Sequence, residues 1–201
     1  MNIDKLVHTV ASWAKDIHAI EASGEYWYEI FVDNQWIKPG MRILDYGAGL
    51  GRLSIPFSRI AEVRALDVNP DMVAYLQSKG IAASVASDLQ PVLDEKFDFA
   101  IAAYVLQHND IIDAQVLTDQ ISTVTDTFYF TYPVVDEEFN RNLADYVDYK
   151  DAKKLPLVEN TNSSRTMARS ELPVLFKQSS FNPQTIISLG IPKLNLYRIT
   201  K

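Results

Sequence analysis

Residues 45–51 have the sequence DYGAGLG, in which glycine occupies every second position from Gly47 to Gly51. The run follows a predicted strand at residues 42–46 and precedes a helical pattern at about 52–61. Glycine has no Cβ, so the backbone can adopt positive φ there and a ligand can approach it closely. A glycine loop that joins a strand to a helix therefore predicts a ligand site.

Strand and helix patterns alternate downstream of this loop. Further strands are predicted at residues 63–68, 82–86, 97–105 and 128–132. Helices are predicted at residues 69–79, with Asn69 as N-cap and Gly80 as stop, at 110–123, and from Ser170 onward. The alternation predicts an open α/β sheet with helices on both faces. Two last strands, 185–189 and 194–200, have too short a connection for a parallel crossover and must be antiparallel.

A second carboxylate marks the predicted ligand site. Asp67 ends the second strand, 22 positions beyond Asp45 in the first (67 − 45). A carboxylate at about this distance accepts hydrogen bonds from ribose hydroxyls in nucleoside-binding sheets. The dinucleotide fingerprint G-x-G-x-x-G would require glycine at position 52, where this chain has Arg52. A nicotinamide cofactor is therefore disfavoured, and titration with both cofactor types would decide the matter.

Composition excludes several classes of chemistry. The 201 residues include no cysteine and three histidines, so thiolate catalysis is excluded and a metal site is not expected. The 19 basic and 26 acidic residues give a net charge of −7, which disfavours nucleic acid as a partner. The sequence shows no signal-peptide pattern and no apolar run of the roughly 18 residues that span a bilayer. We therefore expect a soluble, cytoplasmic protein without a membrane partner.

The glycine loop resembles the first motif of the class I S-adenosylmethionine-dependent methyltransferases. The likeness extends in order from about residue 41 to 132 and includes the C-terminal hairpin. Asp67 to Met72 resembles the ribose-binding strand end of that family, and Ser87-Asp88 resembles its adenine-side acid. The resemblance implies an α/β, Rossmann-like three-layer sandwich with a mostly parallel seven-stranded sheet, and S-adenosyl-L-methionine as the cofactor.

The resemblance also implies a set of cofactor-binding residues, namely Asp45, Gly47, Ala48, Gly49, Gly51, Asp67, Val68, Met72, Ser87, Asp88, Leu89 and Tyr104. Each has a structural alternative. Asp45 could order the loop through backbone amides, Asp67 could cap the next helix, and Asp88 could begin a turn. The apolar members could fill the core instead of contacting adenine. Asp98, at the start of a strand, is expected to be structural.

Methyl transfer from a sulfonium needs alignment and exclusion of water more than it needs a catalytic constellation. A general base is required only when the acceptor must lose a proton, and His108 is the candidate, with helix capping as the alternative. The predicted reaction is methyl transfer to an O or N nucleophile of a small molecule. A non-catalytic S-adenosylmethionine-binding module and a protein methyltransferase are the alternatives. Residues 103–106 lack the Pro-Pro-Tyr-type sequence of enzymes that methylate base amines.

The whole chain, residues 1–201, is predicted to form a single methyltransferase domain. Its predicted parts are an N-terminal helical cap (1–35), a cofactor-binding half (41–133), a substrate-side insertion (136–169), and the last helix with the hairpin (170–201). Three consecutive aromatic residues at positions 26–28 cannot share one helical face. We expect Trp27 to lie in the core and at least one of its neighbours to face the cleft.

Overall fold

The computed structural model describes residues 16–134, 169–191 and 195–201, and its centre is one seven-stranded sheet. The strands are β1 (Arg42–Tyr46), β2 (Glu62–Asp67), β3 (Ala82–Val85), β4 (Phe99–Ala102), β5 (Thr127–Thr131), β6 (Ile187–Ser188) and β7 (Leu196–Thr200). Their spatial order is β3-β2-β1-β4-β5-β7-β6. The predicted strand count is confirmed.

Strand direction confirms the predicted topology. β1 pairs in parallel with β2 and β4, β2 pairs in parallel with β3, and β4 pairs in parallel with β5. β7 runs antiparallel to both β5 and β6. The strand order reverses between β1 and β4, and in open α/β sheets a crevice forms at the carboxyl ends of such a strand pair.

The helices are α1 (Ile17–Asp33), α2 (Ser54–Phe57), α3 (Pro70–Ser78) and α4 (Ile111–Val124). Four 3₁₀-helices are also described, at Gln90–Val92, Leu106–His108, Arg169–Phe176 and Pro183–Thr185. The caps follow the sequence signals. The Asn69 side chain accepts the backbone N–H of Asp71 at 2.9 Å, and Asp110 accepts that of Asp113 at 2.8 Å. None of the described helices is long and apolar enough to cross a membrane.

Aromatic side chains fill the layers on either side of the sheet. On one face, Phe31 of α1 contacts Phe99 and Tyr129, with ring centroids 5.8 and 5.0 Å apart. Trp27 lies in the same cluster and is fully buried, as predicted. On the other face, Phe130 packs against Phe176 at 5.1 Å. These two apolar layers hold the helices to the sheet and fix the strand ends that form the site.

Several predicted elements are shorter in the structure. The helix predicted at 52–61 is reduced to Ser54–Phe57. Pro56 cannot donate to the carbonyl of Arg52, and after Phe57 the chain continues in turns, with Arg59 N–H bonded to Pro56 O. The helix predicted from Ser170 is a 3₁₀-helix with Pro173 inside it. The strand predicted at 97–105 is reduced to the four residues of β4, Phe99–Ala102.

Other predictions fall on residues that the structure does not describe. The N-terminal cap is described only from residue 16, and the predicted substrate-side insertion only at Arg169. Residues 192–194 of the hairpin connection also lie outside the described residues. The two neighbours of Trp27 are described: Tyr26 is 44% exposed, and neither Tyr26 nor Tyr28 lines the cavity at the strand ends.

Candidate cofactor-binding site

A cavity of about 630 Å³ lies where β1, β2 and β4 end. This volume is in the usual range for a small-molecule site. The predicted site residues that line it are Gly47, Asp67, Val68, Met72, Ser87, Asp88, Tyr104 and His108. Asp45, Ala48, Gly49, Gly51 and Leu89 do not line it. The first four of these belong to the glycine loop or to the strand before it, and Leu89 is fully buried in the core.

The glycine loop leaves β1 with positive φ at Gly47 (74°), Gly49 (54°) and Gly51 (76°). The backbone N–H groups of Gly47 and Ala48 donate to the carbonyl of Leu66 at 2.8 and 3.1 Å, which fixes the loop to β2. A Cβ added to Gly47 would lie 2.3 Å from Cγ2 of Val105. Both the backbone conformation and the packing therefore require glycine at position 47.

Asp67 connects the glycine loop to the next helix. Its Oδ2 accepts the backbone N–H of Gly49 at 2.7 Å, and its Oδ1 accepts that of Asn69 at 2.8 Å. The alternative role as helix cap belongs to Asn69 instead. Each carboxylate oxygen can accept a second hydrogen bond, so Asp67 is oriented by the protein and still able to bind a ligand hydroxyl.

Asp45 lies beneath the loop and is 2% exposed. The Ser54 hydroxyl donates to its Oδ2 at 2.5 Å. Burial raises the pKa of Asp45 to about 6, while the Ser54 hydrogen bond and the charge of Arg52 act in the opposite direction. The contact with Ser54 ties β1 to the start of α2; the alternative in which backbone amides of the loop bind Asp45 stays a prediction.

The turn after β3 forms one wall of the cavity. Oδ1 of Asp88 accepts the backbone N–H of Gln90 at 3.0 Å, and the Tyr46 hydroxyl donates to the carbonyl of Ser87 at 2.8 Å. Burial, with the negative charges of Asp88 and Asp67, raises the pKa of Tyr46 to about 12. Tyr46 therefore remains a neutral hydrogen-bond donor that holds the turn in place.

The loop after β4 forms the opposite wall. Tyr104 has a positive φ of 63°, and its N–H donates to Oγ1 of Thr131 at 2.6 Å. The Arg52 guanidinium lies 4.7 Å from the Tyr104 ring and 5.7 Å from the Trp27 ring. Burial lowers the pKa of Arg52, yet a guanidinium stays charged in proteins.

Burial also lowers the pKa of His108, so the imidazole is mostly neutral at pH 7.

Sequence reasoning missed the whole wall that α4 contributes and several lining residues elsewhere. The cavity is also lined by Tyr46, Asn69, Ala86, Val105, Asn109, Asp113, Val116, Leu117 and Gln120. Asp113 and Gln120 lie seven positions apart, about two helical turns, so the two residues share a helix face. That spacing was the one available signal. The described residues contain no group of three or more His, Asp or Glu placed to hold a metal ion.

Comparison with known proteins agrees with this geometry. Residues 44–126 match a family model described as "Methyltransferase domain". The ubiquinone/menaquinone biosynthesis C-methyltransferases UbiE of Shewanella pealeana and Shewanella halifaxensis are each 27% identical over 124 residues. The alignment covers 54% of this chain and 49% of each relative, so the chain spans about half the length of the curated relatives it matches.

Solved structures share the fold over most of the chain. Magnesium protoporphyrin IX methyltransferase (ChlM) from Synechocystis PCC 6803 with bound S-adenosylhomocysteine (SAH) has a TM-score of 0.65 and 17% identity, covering 90% of this chain and 83% of its own. A putative O-methyltransferase from Nostoc punctiforme PCC 73102 has a TM-score of 0.64 and 16% identity, covering 93% and 58%.

The sheet order and the glycine loop at the end of β1 define a Rossmann-like domain. Within that fold, residues 44–126 are similar to the methyltransferase domain, in agreement with the resemblance to the class I, S-adenosylmethionine-dependent family. The resemblance predicted from the sequence is confirmed, and so is S-adenosylmethionine as the cofactor of the family.

Proposed function

We propose that this chain transfers a methyl group from S-adenosylmethionine to an O or N nucleophile of a small molecule. The observation that supports it most is the position of Asp67, held at the cavity by the N–H groups of Gly49 and Asn69. A carboxylate so oriented at the end of β2 matches the two neighbouring hydroxyls of a ribose.

The charge of the cavity also fits this cofactor. Three carboxylates line it, those of Asp67, Asp88 and Asp113, and no Lys or Arg is among the described residues of its wall. A sulfonium nucleoside carries a positive sulfur, two sugar hydroxyls and an exocyclic amine, so it offers donors and a cation to a wall of acceptors. A phosphate-bearing dinucleotide would meet repulsion at the same wall.

Different residues of the cavity wall would bind different parts of the cofactor. Asp67 would bind the sugar hydroxyls, Asp88 the exocyclic amine, and the glycine loop the amino-acid part. Val68 and Met72, which line the cavity beside Asp67, would contact the base and sugar. Tyr46 holds the Ser87 carbonyl and so keeps Asp88 at the wall.

When bound, the cofactor supplies a methyl group on a positively charged sulfur; the carbon–sulfur bond breaks as the acceptor's lone pair forms the new bond, and the electron pair stays on sulfur. The chain's own residues align the acceptor with that bond and exclude water. His108 lines the same cavity, and its lowered pKa leaves it neutral at pH 7. A neutral imidazole can take the proton that an O or N acceptor releases.

Two alternatives lead to different expectations. A non-catalytic binding module would be favoured by a cleft filled with the protein's own side chains, whereas the cavity among the described residues is open. A protein methyltransferase would label a polypeptide. The C-methyltransferase name of the curated relatives adds carbon as a third type of acceptor atom to be tested.

The test is incubation of the purified chain with S-adenosylmethionine labelled in the methyl group, together with a cell extract separated into small-molecule and protein fractions. We expect label in the small-molecule fraction with the wild-type chain and its loss with Asp67→Ala. Mass spectrometry of the product then identifies the methylated atom. Label confined to protein, or SAH binding without any transfer, would refute the proposal.

A further inference from the structure

One hydrogen bond fixes the orientation of the Gln120 side chain. Gln120 lies in the last turns of α4 and lines the cavity, and its Oε1 accepts the backbone N–H of Leu89 at 3.1 Å. A backbone amide can only donate, so the carboxamide oxygen must face Leu89. The amino group of Gln120, Nε2, must then face away from Leu89.

The Nε2 group of Gln120 is available to a ligand. It has no hydrogen-bond partner among the residues that the structure describes. Within that part of the chain, Oε1 of Gln107 is the one side-chain N or O atom that is both fully buried and without a hydrogen-bond partner. Because Nε2 of Gln120 also has no partner, it must be at least partly exposed to solvent. A solvent-accessible donor with two hydrogens therefore belongs to a side chain that lines the cavity.

An acceptor lies one residue before Leu89. Oδ1 of Asp88 accepts the Gln90 N–H, while its Oδ2 makes no hydrogen bond to any described residue. Leu89 follows Asp88 in the chain and is bonded to Gln120, so it couples the two side chains. The cavity wall thus includes an acceptor on Asp88 and a donor on Gln120, and each side chain is oriented by a hydrogen bond from the backbone of residues 89–90.

This pair complements the edge of adenine, where an exocyclic amine (a donor) is next to the ring nitrogen N1 (an acceptor). We infer that Gln120 determines base specificity, donating from Nε2 to N1 of the cofactor's adenine while Asp88 accepts from the amine; this rests on the proposed function. Hypoxanthine reverses both groups, since it has a carbonyl oxygen and an N1–H. The carbonyl oxygen of hypoxanthine would face the acceptor of Asp88, and its N1–H would face the donor of Gln120, so neither hydrogen bond could form.

The test compares SAH with S-inosylhomocysteine by isothermal titration calorimetry at pH 8. Wild type should bind SAH at least a hundredfold more tightly, about tenfold for each mismatched hydrogen bond. Gln120→Glu keeps an acceptor for the Leu89 N–H but places an ionised acceptor where Nε2 was. We expect this variant to lower the preference for SAH at least tenfold, because the carboxylate accepts the N1–H of the inosine ligand.

The matched control is Gln184→Glu, the same chemical change on the exposed Pro183–Thr185 turn, which should keep the wild-type preference. A second ligand tests the idea without any variant. SAH with N1 replaced by C–H should bind wild type about tenfold more weakly. The inference is overturned if this ligand binds as tightly as SAH, or if Gln120→Glu binds both ligands with the wild-type preference. Failure of wild type to bind SAH at all would overturn the proposed function as well.

Discussion

Asp67 is the side chain on which the site depends most, because it binds two backbone N–H groups of the protein and also lines the cavity. Its two oxygens accept the N–H groups of Gly49 and Asn69, which belong to the glycine loop and to the cap of α3. The same carboxylate lines the cavity. Its position as the last residue of β2 was predictable from sequence. Its bond to Gly49 was not, because that contact depends on how β1 and β2 pair.

Asp67→Asn tests this double role. Asparagine has one acceptor oxygen, so its amino group must face one of the two backbone donors. We expect SAH affinity, measured by titration calorimetry, to fall at least tenfold through loss of charge-assisted hydrogen bonds. Asp119→Asn, the same change at an exposed position of α4, is the control and should bind normally. An Asp67→Asn affinity within twofold of wild type would contradict the role given to Asp67.

Asp45 makes a pH-dependent contribution to stability. Its pKa of about 6 in the folded state, against 3.8 unfolded, means that the folded protein binds the additional proton between pH 4 and 6. Stability from this group therefore falls as pH rises through that window, by up to about 3 kcal/mol. Asp45→Asn cannot ionise and can still accept the Ser54 hydroxyl.

The measurement for Asp45 is urea denaturation of wild type and Asp45→Asn at pH 4 and pH 7.5. The free energy of unfolding of the variant, minus that of wild type, should be more positive at pH 7.5 by up to about 3 kcal/mol. Taking this difference cancels the titration of the other acids. A difference that does not change with pH would show that Asp45 is ionised in the fold at no cost.

His108→Gln tests the proposed base. Because burial lowers the pKa of His108 below 6.5, wild-type kcat/KM should fall only at pH values below that pKa. The variant should lose this limb of the pH profile and about 10²-fold or more of the rate, with SAH affinity unchanged. Retention of the wild-type pH profile would assign His108 a structural role at the Leu106–His108 turn.

At the scale of elements, capping and stop residues predicted where helices begin and end, but they did not predict features that depend on residues distant in sequence. Asn69 and Pro70 began α3 where expected, and Gly80 followed its end with a φ of 80°. The helix predicted after the glycine loop is shorter in the structure and forms only α2, where Pro56 lacks the N–H that would bond to the carbonyl of Arg52. The left-handed conformation of Tyr104 has no sequence signal, because the Thr131 hydroxyl that binds its N–H lies on a different strand.

Gly47→Ala tests the packing of the glycine loop against the loop after β4. The alanine would combine a strained φ of 74° with a Cβ 2.3 Å from Val105. Gly80→Ala is the matched control, since its φ is 80° but nothing lies within 4 Å of the added Cβ. We expect Gly80→Ala to cost about 1 kcal/mol in urea denaturation and Gly47→Ala about 2 kcal/mol more. Equal losses in the free energy of unfolding for the two variants would show that Val105 moves aside without an energetic cost and would contradict the packing argument.

At the scale of the whole molecule, the parallel direction of the first five strands followed from the alternation of strand and helix patterns, and the antiparallel direction of the last pair followed from the short hairpin connection. The cavity was only half predictable. The walls from the glycine loop, Asp67 and Asp88 follow strands in the sequence, so the topology brings them together. The wall from α4, with Asp113 and Gln120, depends on the packing angle of a helix against the sheet. That angle arises from side-chain contacts distant in sequence.

The most direct measurement is a crystal structure of the wild-type chain with bound SAH. We expect the sugar hydroxyls within hydrogen-bond distance of Asp67, and the adenine amine and N1 facing Asp88 and Gln120. The homocysteine part should lie against Gly47, where the glycine loop meets the cavity. A ligand bound elsewhere, or a ribose turned away from Asp67 with the glycine loop blocked, would contradict the assignment of this cavity.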